Sequence, residues 1–573
     1  MKSRLILVLL AIVVACFSFV SCASTEPLPE VDPLPFTKGV NLTRFFERGP
    51  GGLPNLNRYD EADIACLKAM GVDIIRLPIS LDIFTDKPDG TGKIHDIVLE
   101  KIDQVCDWAE KYKIYLIIDN HNNSTFDTDP HRSDYELMRA QLQSFWSQLA
   151  PRYKDRSEYI LYEVMNEPNC QSASKFYKIQ QDAIDLIRSY DTKHTIIVTC
   201  TNWSSPDDLI KLKPYKDPNL IYTFHFYDPE RFTGQYGTFG RGEEWQDLAD
   251  IPFPYDKARM PQLKGRSKGT YMEDYFKNVY PKEGTVKYIN DKIKKIADWS
   301  RKYGVRTFAG EIGANVRINP VDRLAWSETV VSALQDNNIP YCVWGIDGET
   351  GFLKSIEDSL IFPDDIDEAA LNAYGFTMPY SYLTEQTNLA VKDFPNTPYV
   401  VYDGVTGKGI AAKYYWGEMA ETPSDDPHGW CFKVWDATQG NGWKIWLSNI
   451  ITSKFEGYED SLVFSFSVKF TSKDQSFTMH LRDTDGGEEL MPWAKCTTVS
   501  AFALQNSLGE WVTVEVPVSS FIEEDGTWSD ITQNWQERGS DKFEWSRFES
   551  LWIEFASETP GEFFLDDIVI KLK

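Results

Sequence analysis

Two glutamates with constrained neighbours are the residues of this sequence best suited to acid–base chemistry. Glu167 lies in the stretch MNEP, directly before Pro168, and Glu311 lies in GEIG, directly after Gly310. Proline restricts the residue before it to extended backbone, so Glu167 would be held at the end of a strand. Small neighbours would let Glu311 face a ligand closely. If the two carboxylates flank one bond, with one protonated and the other ionised, they could hydrolyse a glycoside.

A third glutamate, Glu163, precedes Glu167 by four residues in the apolar run LYEVMNEPN. Alternate residues of a strand share a face, so both would point inward, with Glu163 deeper. A buried carboxylate needs a partner, and a basic or hydroxyl side chain from a neighbouring strand would provide one. We therefore interpret Glu163 as structural. Asn166 has the opposite parity and reaches the same site only if the strand ends or bends before Pro168.

Glu167 and Glu311 can face each other only if their strands belong to one sheet. Eight runs rich in β-branched and aromatic residues alternate with segments whose apolar residues recur at i, i+3, i+4 and i+7. This alternation indicates parallel βαβ units, and eight of them predict an α/β fold, the (β/α)8 TIM barrel. The strand runs are 36–43, 73–80, 114–121, 159–168, 194–201, 220–227, 306–313 and 339–347.

Polar side chains gather at the predicted carboxyl ends of these strands, where a TIM barrel has its active site. The connection after the sixth strand, 228–283, is long and rich in glycine and aromatic residues. Long barrel loops are commonly functional, so we expect this one to form a wall of the cleft. Besides the two glutamates, the strand ends carry Arg76, Asp119, His121, Asn122, Asn166, His225, Tyr227 and Trp344.

The composition changes near residues 390–400. Helical periodicity ends there, and short alternating runs such as LVFSFSVKF and SFTMHLRD predict a C-terminal β-sandwich over 398–573. Eleven of the 18 tryptophans lie in this region. Several of these are expected in the core. Because a sandwich core does not need so many, we expect at least two to line a groove, where flat aromatic rings stack on sugars.

The N-terminus predicts export. Lys2 and Arg4 precede an apolar run, and residues 19–23, FVSCA, resemble a bacterial lipobox, in which the cysteine (here Cys22) becomes the lipidated first residue. We therefore predict a lipoprotein signal over 1–22 and a cell-envelope protein, periplasmic or on the cell surface. The proline-rich residues 23–35 would link the lipid to the folded body. The alternative is an ordinary cleaved signal and a secreted protein.

Charge and cysteine usage limit the partners. A formal net charge of −27 argues against nucleic acid and against an anionic membrane surface, which leaves a lipid anchor as the expected membrane contact. The cysteines outside the signal are scattered and form no CxxC pair, so spacing predicts neither a disulfide framework nor a zinc site. We expect a monomer.

Six short motifs that follow one another along the chain resemble those of glycoside hydrolase family 5, the cellulase family. The resemblance covers roughly residues 36–390 of the predicted catalytic domain, 36–392, and implies retention of configuration by double displacement. Glu167 would be the general acid/base and Glu311 the nucleophile, with their carboxyl groups ~5–5.5 Å apart. The motifs are RLP with Arg76, DNHN with His121, MNEP with Asn166 and Glu167, HFY with His225 and Tyr227, GEIG with Glu311, and WG with Trp344.

The same resemblance implies roles for the surrounding residues. Arg76 and Tyr227 would hydrogen-bond Glu311, and the nearby cation would keep Glu311 ionised. Asn166 would bind the sugar 2-hydroxyl. The remaining positions are also expected at the substrate: His121 and His225 to bind hydroxyls and tune the pair, Trp344 to stack under the sugar before the scissile bond, and Asn122 in a role that the resemblance leaves open.

The C-terminal region is similar to a jelly-roll carbohydrate-binding module. The similarity rests on the opening strand, YVVYDGVTGKG, and on the closing strand, EFFLDDIVIKL. In such modules an aspartate of the closing strand often binds a structural calcium ion, which here implies Asp566 or Asp567. A surface role for either aspartate is the alternative. No cofactor is expected for catalysis.

These expectations favour an endo-β-1,4-glucanase that acts on β-glucan or a related plant polysaccharide. Xyloglucan, mannan and mixed-linkage glucan remain open as substrates of the same mechanism. A surface glycan-binding lipoprotein without catalysis is a second hypothesis, although it would have no chemical need for both carboxylates and their supporting residues. A metal hydrolase has little support in the sequence, because the histidines and acids lie on separate strands without HxH spacing.

Overall fold

Eight parallel strands form a closed barrel in which each strand pairs with its sequence neighbours and the last pairs with the first. This confirms the TIM barrel, and every strand-like run identified in the sequence contains one of its strands. The strands are β1 (Lys38–Asn41), β2 (Ile74–Ile79), β3 (Tyr115–Asn120), β4 (Ile160–Glu163), β5 (Ile196–Val198), β6 (Leu220–Phe226), β7 (Arg306–Ile312) and β8 (Tyr341–Val343).

The computed structural model describes most of the barrel and of the C-terminal region. Within the described residues, no helix is both long and apolar enough to cross a membrane. Residues 1–30 lie outside, so the signal, the lipidation of Cys22 and the domain boundaries stay predictions. The described residues are 31–47, 54–122, 134–237, 242–346, 348–352, 366–379, 394–407, 410–416, 419–423, 430–435, 441–447, 449–483, 493–504, 508–529, 534–538, 542–556 and 561–573.

Amphipathic helices cover the outside of the barrel. In the helix Val286–Tyr303, Ile289, Ile293 and Ile296 recur at helical spacing and are buried. Thr285 caps its first turn with the side-chain oxygen. The helices are α1 (Glu61–Ala69), α2 (Asp96–Tyr112), α3 (Tyr135–Tyr153), α4 (Ala173–Tyr190), α5 (Val286–Tyr303), α6 (Pro320–Asp336) and α7 (Glu368–Ala373). Shorter helical segments are Leu81–Ile83, Thr201–Ser204, Pro206–Leu209, Glu230–Thr233, Gln235–Gly237, Gly242–Gln246, Gly265–Ser267, Met272–Asp274, Tyr275–Val279 and Tyr280–Glu283.

An apolar layer closes the interior of the barrel, and a polar layer lies directly above it. Because side chains alternate along a strand, the next inward positions on β2, β3 and β4 fall two residues beyond this layer, at Arg76, Asp119 and Glu163. All three side chains are fully buried. The apolar layer consists of Phe36, Ile74, Ile117, Leu161, Ile197, Ile221, Phe308 and Cys342.

One extra residue in β7 turns Glu311 towards the barrel interior. Phe308 packs inside, so strict alternation would point Gly310 inward and Glu311 outward. The β6–β7 register skips Gly310, so that His225 pairs directly with Glu311. A side chain at Gly310 would come within 2.7 Å of the Thr223 hydroxyl, which explains the glycine. This β-bulge re-aims Glu311, as bulges beside active sites commonly do.

β4 is shorter than the sequence predicted. It ends at Glu163, and the following residues 164–168 leave the regular strand. The backbone N–H of Asn166 donates to the carbonyl of Asn120 at 3.0 Å. Asn166 therefore reaches the barrel mouth, although regular alternation along β4 would point it away from the side on which Glu167 lies. The early end of β4 is the bend that we expected before Pro168.

The connection after β6 folds into short helical segments that pack on the barrel. Phe232, Trp245 and Tyr280 are buried within the same apolar cluster as the barrel helices. The Arg231 guanidinium lies 4.9 Å from the ring centroid of Trp245 and 4.7 Å from that of Tyr275. Stacked and buried side chains hold the described segments of this connection against the barrel. That the connection forms a wall of the cleft stays a prediction.

Two antiparallel sheets form the predicted C-terminal β-sandwich. Trp443 and Ile445 from one sheet meet Phe432 and Val434 from the other in a common apolar core. The strands are β9 (Tyr399–Tyr402), β10 (Ile410–Trp416), β11 (Met419–Pro423), β12 (Trp430–Val434), β13 (Gly442–Leu447), β14 (Leu462–Phe470), β15 (Ser476–Asp483), β16 (Ala494–Ser500), β17 (Val512–Pro517), β18 (Ile522–Glu523), β19 (Gly526–Ser529), β20 (Asn534–Glu537), β21 (Phe548–Phe555) and β22 (Phe563–Leu572).

The strand order separates the two faces of the sandwich. The first sheet runs β10-β13-β21-β15-β16-β18, and the second runs β11-β12-β22-β14-β17, with β9 also paired to β22. A small hairpin, β19–β20, stands apart from both sheets, and a short helix, α8 (Asn449–Ser453), follows β13.

Candidate active site

Arg76 occupies the centre of the polar layer. Its Nε and Nη2 donate to the two oxygens of Glu163 at 2.8 and 2.9 Å, and its Nη1 donates to Glu311 Oε1 at 2.8 Å. Nη2 also lies 2.9 Å from Asp119 Oδ2. One buried guanidinium therefore faces three carboxylates. The planar fork of arginine suits this task, because its five N–H groups point in fixed directions.

The carboxylates of Asp119 and Glu163 carry more negative charge than Arg76 balances. Burial raises the pKa of each to about 7, although Arg76 opposes the shift. Burial alone would lower the pKa of Arg76, but Asp119 and Glu163 raise it well above its ordinary value. Glu163 thus has the basic partner that the sequence required. That partner comes from β2, beyond the adjacent strand β3, rather than from a neighbouring strand.

Glu311 is held through both of its oxygens. Oε1 accepts from Arg76, and Oε2 accepts the Tyr227 hydroxyl at 2.8 Å. These are the two contacts expected from the sequence. Burial nevertheless raises the pKa of Glu311, and the Glu167 carboxylate raises it as well, whereas His225 and Arg76 lower it. Only 5% of the side chain is exposed, and burial outweighs the effect of Arg76 on this pKa. That Arg76 keeps Glu311 ionised stays a prediction.

Glu167 faces Glu311 from the end of β4. Its side chain is 25% exposed, so solvent and substrate can reach it. One oxygen of Glu167 lies within 4.8 Å of an oxygen of Glu311. This separation suits retaining glycosidases, whose carboxyl groups are ~5–5.5 Å apart, better than inverting ones, which need ~6.5–9.5 Å. The two glutamates therefore differ in accessibility but share one site.

His225 connects the two glutamates. Its Nδ1 lies 2.6 Å from Glu167 Oε1 and 3.3 Å from Glu311 Oε2. Burial lowers the pKa of His225 to about 3, so the ring is neutral. A neutral imidazole donates from one nitrogen only, and these contacts place that proton on Nδ1. The ring is buried against the carboxylates, which supports a tuning role more directly than a contact with sugar hydroxyls.

Asn166 and His121 form a second connected layer. Arg76 Nη2 donates to Asn166 Oδ1 at 2.7 Å, and Asn166 Nδ2 lies 3.2 Å from His121 Nε2. His121 Nδ1 lies 2.7 Å from Asp119 Oδ2. The two nitrogens of His121 are therefore engaged within the protein. Its ring stacks on Trp344 at 5.3 Å with an interplanar angle of 15°. This stacking fixes the orientation of the Trp344 ring, which is partly exposed at the mouth of the barrel.

Asn122 is hydrogen-bonded to a helix on the outside of the barrel. It is buried, and its Nδ2 donates to Gln141 Oε1 on α3 at 2.7 Å. That contact ties the end of β3 to the outer helix. It supports a packing role for Asn122 rather than a contact with substrate.

Three further residues hold the site and were missed from the sequence. Asn41, at the end of β1, accepts from Arg76 at 3.0 Å. The Ser204 hydroxyl donates to the carbonyl of Asn166 at 2.7 Å, and the N–H of Trp203 donates to the carbonyl of Pro168 at 3.3 Å. The positions of Asn41 and Ser204, polar residues at the end of β1 and shortly after β5, are a sequence signal for a place at the barrel mouth. Residues 202–204 have left-handed backbone, which non-glycine residues seldom adopt, so this conformation could not be predicted from the sequence.

Glu167, His225 and Glu311 offer potential metal ligands within 4.8 Å of one another. Arg76 and Tyr227 already donate to the two oxygens of Glu311, and the guanidinium would repel a second cation. The positive charge that a metal would bring is thus supplied by Arg76. These contacts favour carboxylate chemistry without a metal.

The raised pKa of Glu163 predicts a pH-dependent stability. Between its ordinary unfolded pKa of ~4.3 and the folded value of about 7, the folded state binds more protons, so stability falls as pH rises. Asp119 acts in the same direction. We expect the free energy of unfolding to decline from pH 5 to pH 8 and Glu163→Gln to make this decline shallower.

Urea unfolding at several pH values measures the effect. Glu110→Gln is the matched control, because hydrogen bonds from Ser157 lower the pKa of Glu110 despite its burial. That control should leave the slope between pH 5 and pH 8 unchanged. A Glu163→Gln protein with the wild-type slope would show that Glu163 is ionised throughout this range.

Comparison with known proteins places these residues in a family. A family model described as cellulase (glycosyl hydrolase family 5) matches residues 44–350. Endoglucanase 3 of Fibrobacter succinogenes is 32% identical over 355 residues, which are 58% of this chain and 52% of that protein. Endoglucanase H of Acetivibrio thermocellus is 23% identical over 538 residues, which are 87% of this chain and 50% of that protein. The chain thus spans about half the length of both relatives.

Endoglucanase Cel5A from the hyperthermophilic Thermotoga maritima is a solved structure with similarity to this chain. It is 23% identical, has a TM-score of 0.47, and the match covers 59% of this chain and 96% of that one. The residues matched by the family model, 44–350, make up more than half of the chain and contain Arg76, Glu167 and Glu311. The chain belongs to glycoside hydrolase family 5.

Proposed function

We propose that this chain is a retaining, endo-acting glycoside hydrolase that cleaves β-1,4-glucan by double displacement. The observation that carries the proposal is the pair Glu167 and Glu311, with oxygens within 4.8 Å of each other at the mouth of the barrel. Retention is general in the family to which the chain belongs. The endoglucanases among its relatives support a β-glucan substrate.

In the first step Glu311 attacks the anomeric carbon while Glu167 protonates the departing glycosidic oxygen. Tyr227 and Arg76 aim the attacking carboxylate, which is buried and so has little solvent to displace. The sugar becomes an ester of Glu311, and the shortened glucan leaves with the proton of Glu167. The fixed geometry of both carboxylates contributes by orientation.

In the second step Glu167 removes a proton from water. The water oxygen attacks the anomeric carbon, and the Glu311 carboxylate leaves. Esterification removes the negative charge of Glu311, and a like charge nearby is what favours the protonated form of Glu167. Loss of that charge favours the ionised form that a general base requires. His225, neutral and 2.6 Å from Glu167, donates to the ionised carboxylate and holds it in place.

Asn166 and Trp344 are suited to bind the sugar. The Asn166 amide has two N–H groups, and His121 can accept only one of them, so the second is available for the sugar 2-hydroxyl. Trp344 is backed by the His121 ring and is partly exposed, which suits stacking on a sugar face. Xyloglucan, mannan and mixed-linkage glucan remain alternatives for the backbone that these residues accept.

We further propose that the chain is exported and anchored to the cell envelope through a lipid on Cys22. The lipobox-like residues 19–23 support this proposal, and a secreted protein without the anchor is the alternative. Apart from the lipid, no membrane contact is proposed, and the net charge of −27 disfavours nucleic acid as a partner. We propose a monomer.

The C-terminal sandwich is proposed to bind the same polysaccharide. On its first sheet, the Lys444 ammonium lies 4.0 Å from the ring centroid of Trp446 and 4.5 Å from that of Trp552. The Arg482 guanidinium lies 4.7 Å from the centroid of Trp552. Cations thus hold two partly exposed tryptophans on one sheet face. Rigid aromatic rings set in this way suit stacking on sugar rings.

A structural calcium ion beside Asp566 and Asp567 remains a proposal. Asp566 is buried and accepts the N–H of Gly404 at 2.9 Å, and Asp567 accepts the Ser467 hydroxyl at 2.8 Å. Burial, together with the charges of Asp567 and Asp403, raises the pKa of Asp566 to about 7. Carboxylate oxygens of this kind fit calcium, which would offset their mutual repulsion.

Reducing-sugar release from a substrate panel tests the proposed activity. The panel contains carboxymethylcellulose, lichenan, xyloglucan, galactomannan and xylan, and the protein begins at residue 23. We expect cleavage of carboxymethylcellulose, with or without lichenan, that EDTA does not reduce. Silence on all five substrates from folded protein would favour the glycan-binding hypothesis, and loss of activity in EDTA would favour a metal hydrolase.

The two glutamates should each be required. Glu167→Gln and Glu311→Gln are expected to lower hydrolysis by ~10³-fold or more, because each removes an acid, base or nucleophile, while polymer binding stays within about twofold. Glu328→Gln, an exposed glutamate on α6, is the matched control. Azide should rescue the alanine variants and distinguish their roles, giving a β-glycosyl azide with Glu167→Ala and an α-glycosyl azide with Glu311→Ala. Near-wild-type rates in either Gln variant would refute the assignment.

The tryptophans of the first sheet should hold the enzyme on insoluble polymer. Trp446→Ala and Trp552→Ala are each expected to weaken retention on cellulose by about tenfold, while activity on soluble oligosaccharides is unchanged. Trp535→Ala, 59% exposed on the β19–β20 hairpin, is the control. If the control loses binding and the other two keep it, the binding face lies elsewhere on the sandwich.

A further inference from the structure

Three side chains of different chemistry meet near one edge of the first sheet of the sandwich, on the face that carries Trp552, whose ring centroid lies 6.4 Å from that of His480. They are His480 on β15, Cys496 on β16, and Glu524 directly after β18. Each offers one potential ligand atom, and these atoms lie within 4.8 Å of one another. His480 and Cys496 are directly opposite in the β15–β16 register, so the backbone itself sets two of the three positions.

The contacts among the three side chains converge. His480 Nδ1 is hydrogen-bonded to Glu524 Oε1, and the Cys496 sulfur lies within 4.8 Å of the ligand atoms of both residues. The side chains of His480 and Glu524 are only 15% and 19% exposed. The cluster is therefore partly desolvated, which is costly for the Glu524 carboxylate unless a cation or strong donors satisfy it.

The far side of the His480 ring supplies a second observation. Nε2 is buried and makes no hydrogen bond within the described part of the chain, yet it lies 3.5 Å from Glu554 Oε2. A metal-binding histidine typically gives its other ring N–H to a carboxylate, which fixes the tautomer and leaves the first nitrogen free to bind. Glu554 is placed for this role, since it lies on β21 beside β15.

We propose that His480, Cys496 and Glu524 bind one zinc ion, with Glu554 orienting the histidine. Imidazole nitrogen, thiolate sulfur and carboxylate oxygen are the ligands that zinc prefers. On binding, the Cys496 thiol loses its proton to solvent, and the charges of thiolate and carboxylate together balance Zn²⁺. Water fills the fourth position. Two ligand atoms of a tetrahedral zinc ion lie ~3.5 Å apart, so the direct contact between His480 and Glu524 must open when the ion binds.

The ion would join β15, β16 and the segment after β18 at the edge of the first sheet. β18 pairs with β16 over only two residues, so this edge has few backbone hydrogen bonds of its own. The site could not be predicted from sequence, because its three ligands lie on or beside separate strands and no short spacing pattern links them. The site is independent of the glycosidase proposal, since it includes none of the barrel residues.

Cobalt binding to the full chain, free of any affinity tag and treated with EDTA, tests the proposal. A thiolate bound to Co²⁺ gives a charge-transfer absorption band, and the group Glu167, His225 and Glu311 has no sulfur and cannot give one. We expect the band to saturate at one equivalent and to be displaced by zinc. Zinc should also raise the unfolding temperature of the sandwich.

Variants identify the ligands. Cys496→Ser should abolish the band, His480→Gln should weaken zinc binding by ~100-fold or more, and Glu554→Gln should weaken it by ~10–100-fold. Cys170→Ser is the matched control, because that cysteine is also partly exposed but lies in the barrel. If Cys496→Ser does not fold, Glu524→Gln replaces it and should weaken zinc binding by the same factor as His480→Gln.

Two results would overturn the proposal. One is the absence of a band in wild-type protein, which would mean that the cluster is a hydrogen-bonded His–Glu pair beside a reduced thiol. The other is a band or a zinc affinity that survives unchanged in Cys496→Ser and His480→Gln. In either case glycan hydrolysis would be unaffected, so failure here is distinguishable from failure of the proposed function.

Discussion

A single buried guanidinium, that of Arg76, is the interaction on which the rest of the active site depends. It binds Glu163, Asp119 and Glu311 directly and donates to Asn166, so one side chain links four strand ends. Burying charges is costly, and removing one partner of such a network leaves others unpaired. The cluster therefore fixes the relative positions of its members tightly. Burial, and to a lesser degree the neighbouring negative charges, keeps the pKa values of Asp119 and Glu163 high despite Arg76.

The barrel places this network by simple strand geometry. Above the apolar layer, the alternation of side chains puts Arg76, Asp119 and Glu163 at one level on β2, β3 and β4. Glu311 needs the bulge at Gly310 to reach the same site, and Asn166 needs β4 to end early. Two local departures from regular strand structure thus bring the nucleophile candidate and the amide into contact with Arg76. Regular elements supply the scaffold, and the irregularities complete the site.

The fold, and the gathering of the candidate site residues at the strand ends, could be predicted from sequence because both depend on local patterns. Eight strand-like runs and their polar ends gave the barrel, and MNEP and GEIG gave Glu167 and Glu311. The partner of Glu163, the role of Asn41 and the pKa of Glu311 could not be predicted, since they depend on packing between distant strands. His121 and His225 were found, but burial turns both towards protein partners rather than towards sugar hydroxyls. The cluster of His480, Cys496 and Glu524 was invisible for the same reason: strand pairing, not spacing, brings it together.

The central claim is that Glu167 and Glu311 are close enough for double displacement. Proton NMR of the first product released from a soluble cello-oligosaccharide tests it most directly, because the anomeric configuration is visible before mutarotation. The account predicts that the β-anomer of the new reducing end appears first and the α-anomer only later. Initial release of the α-anomer would mean inversion, which needs a wider separation of the carboxyl groups and would contradict Glu311 as the nucleophile.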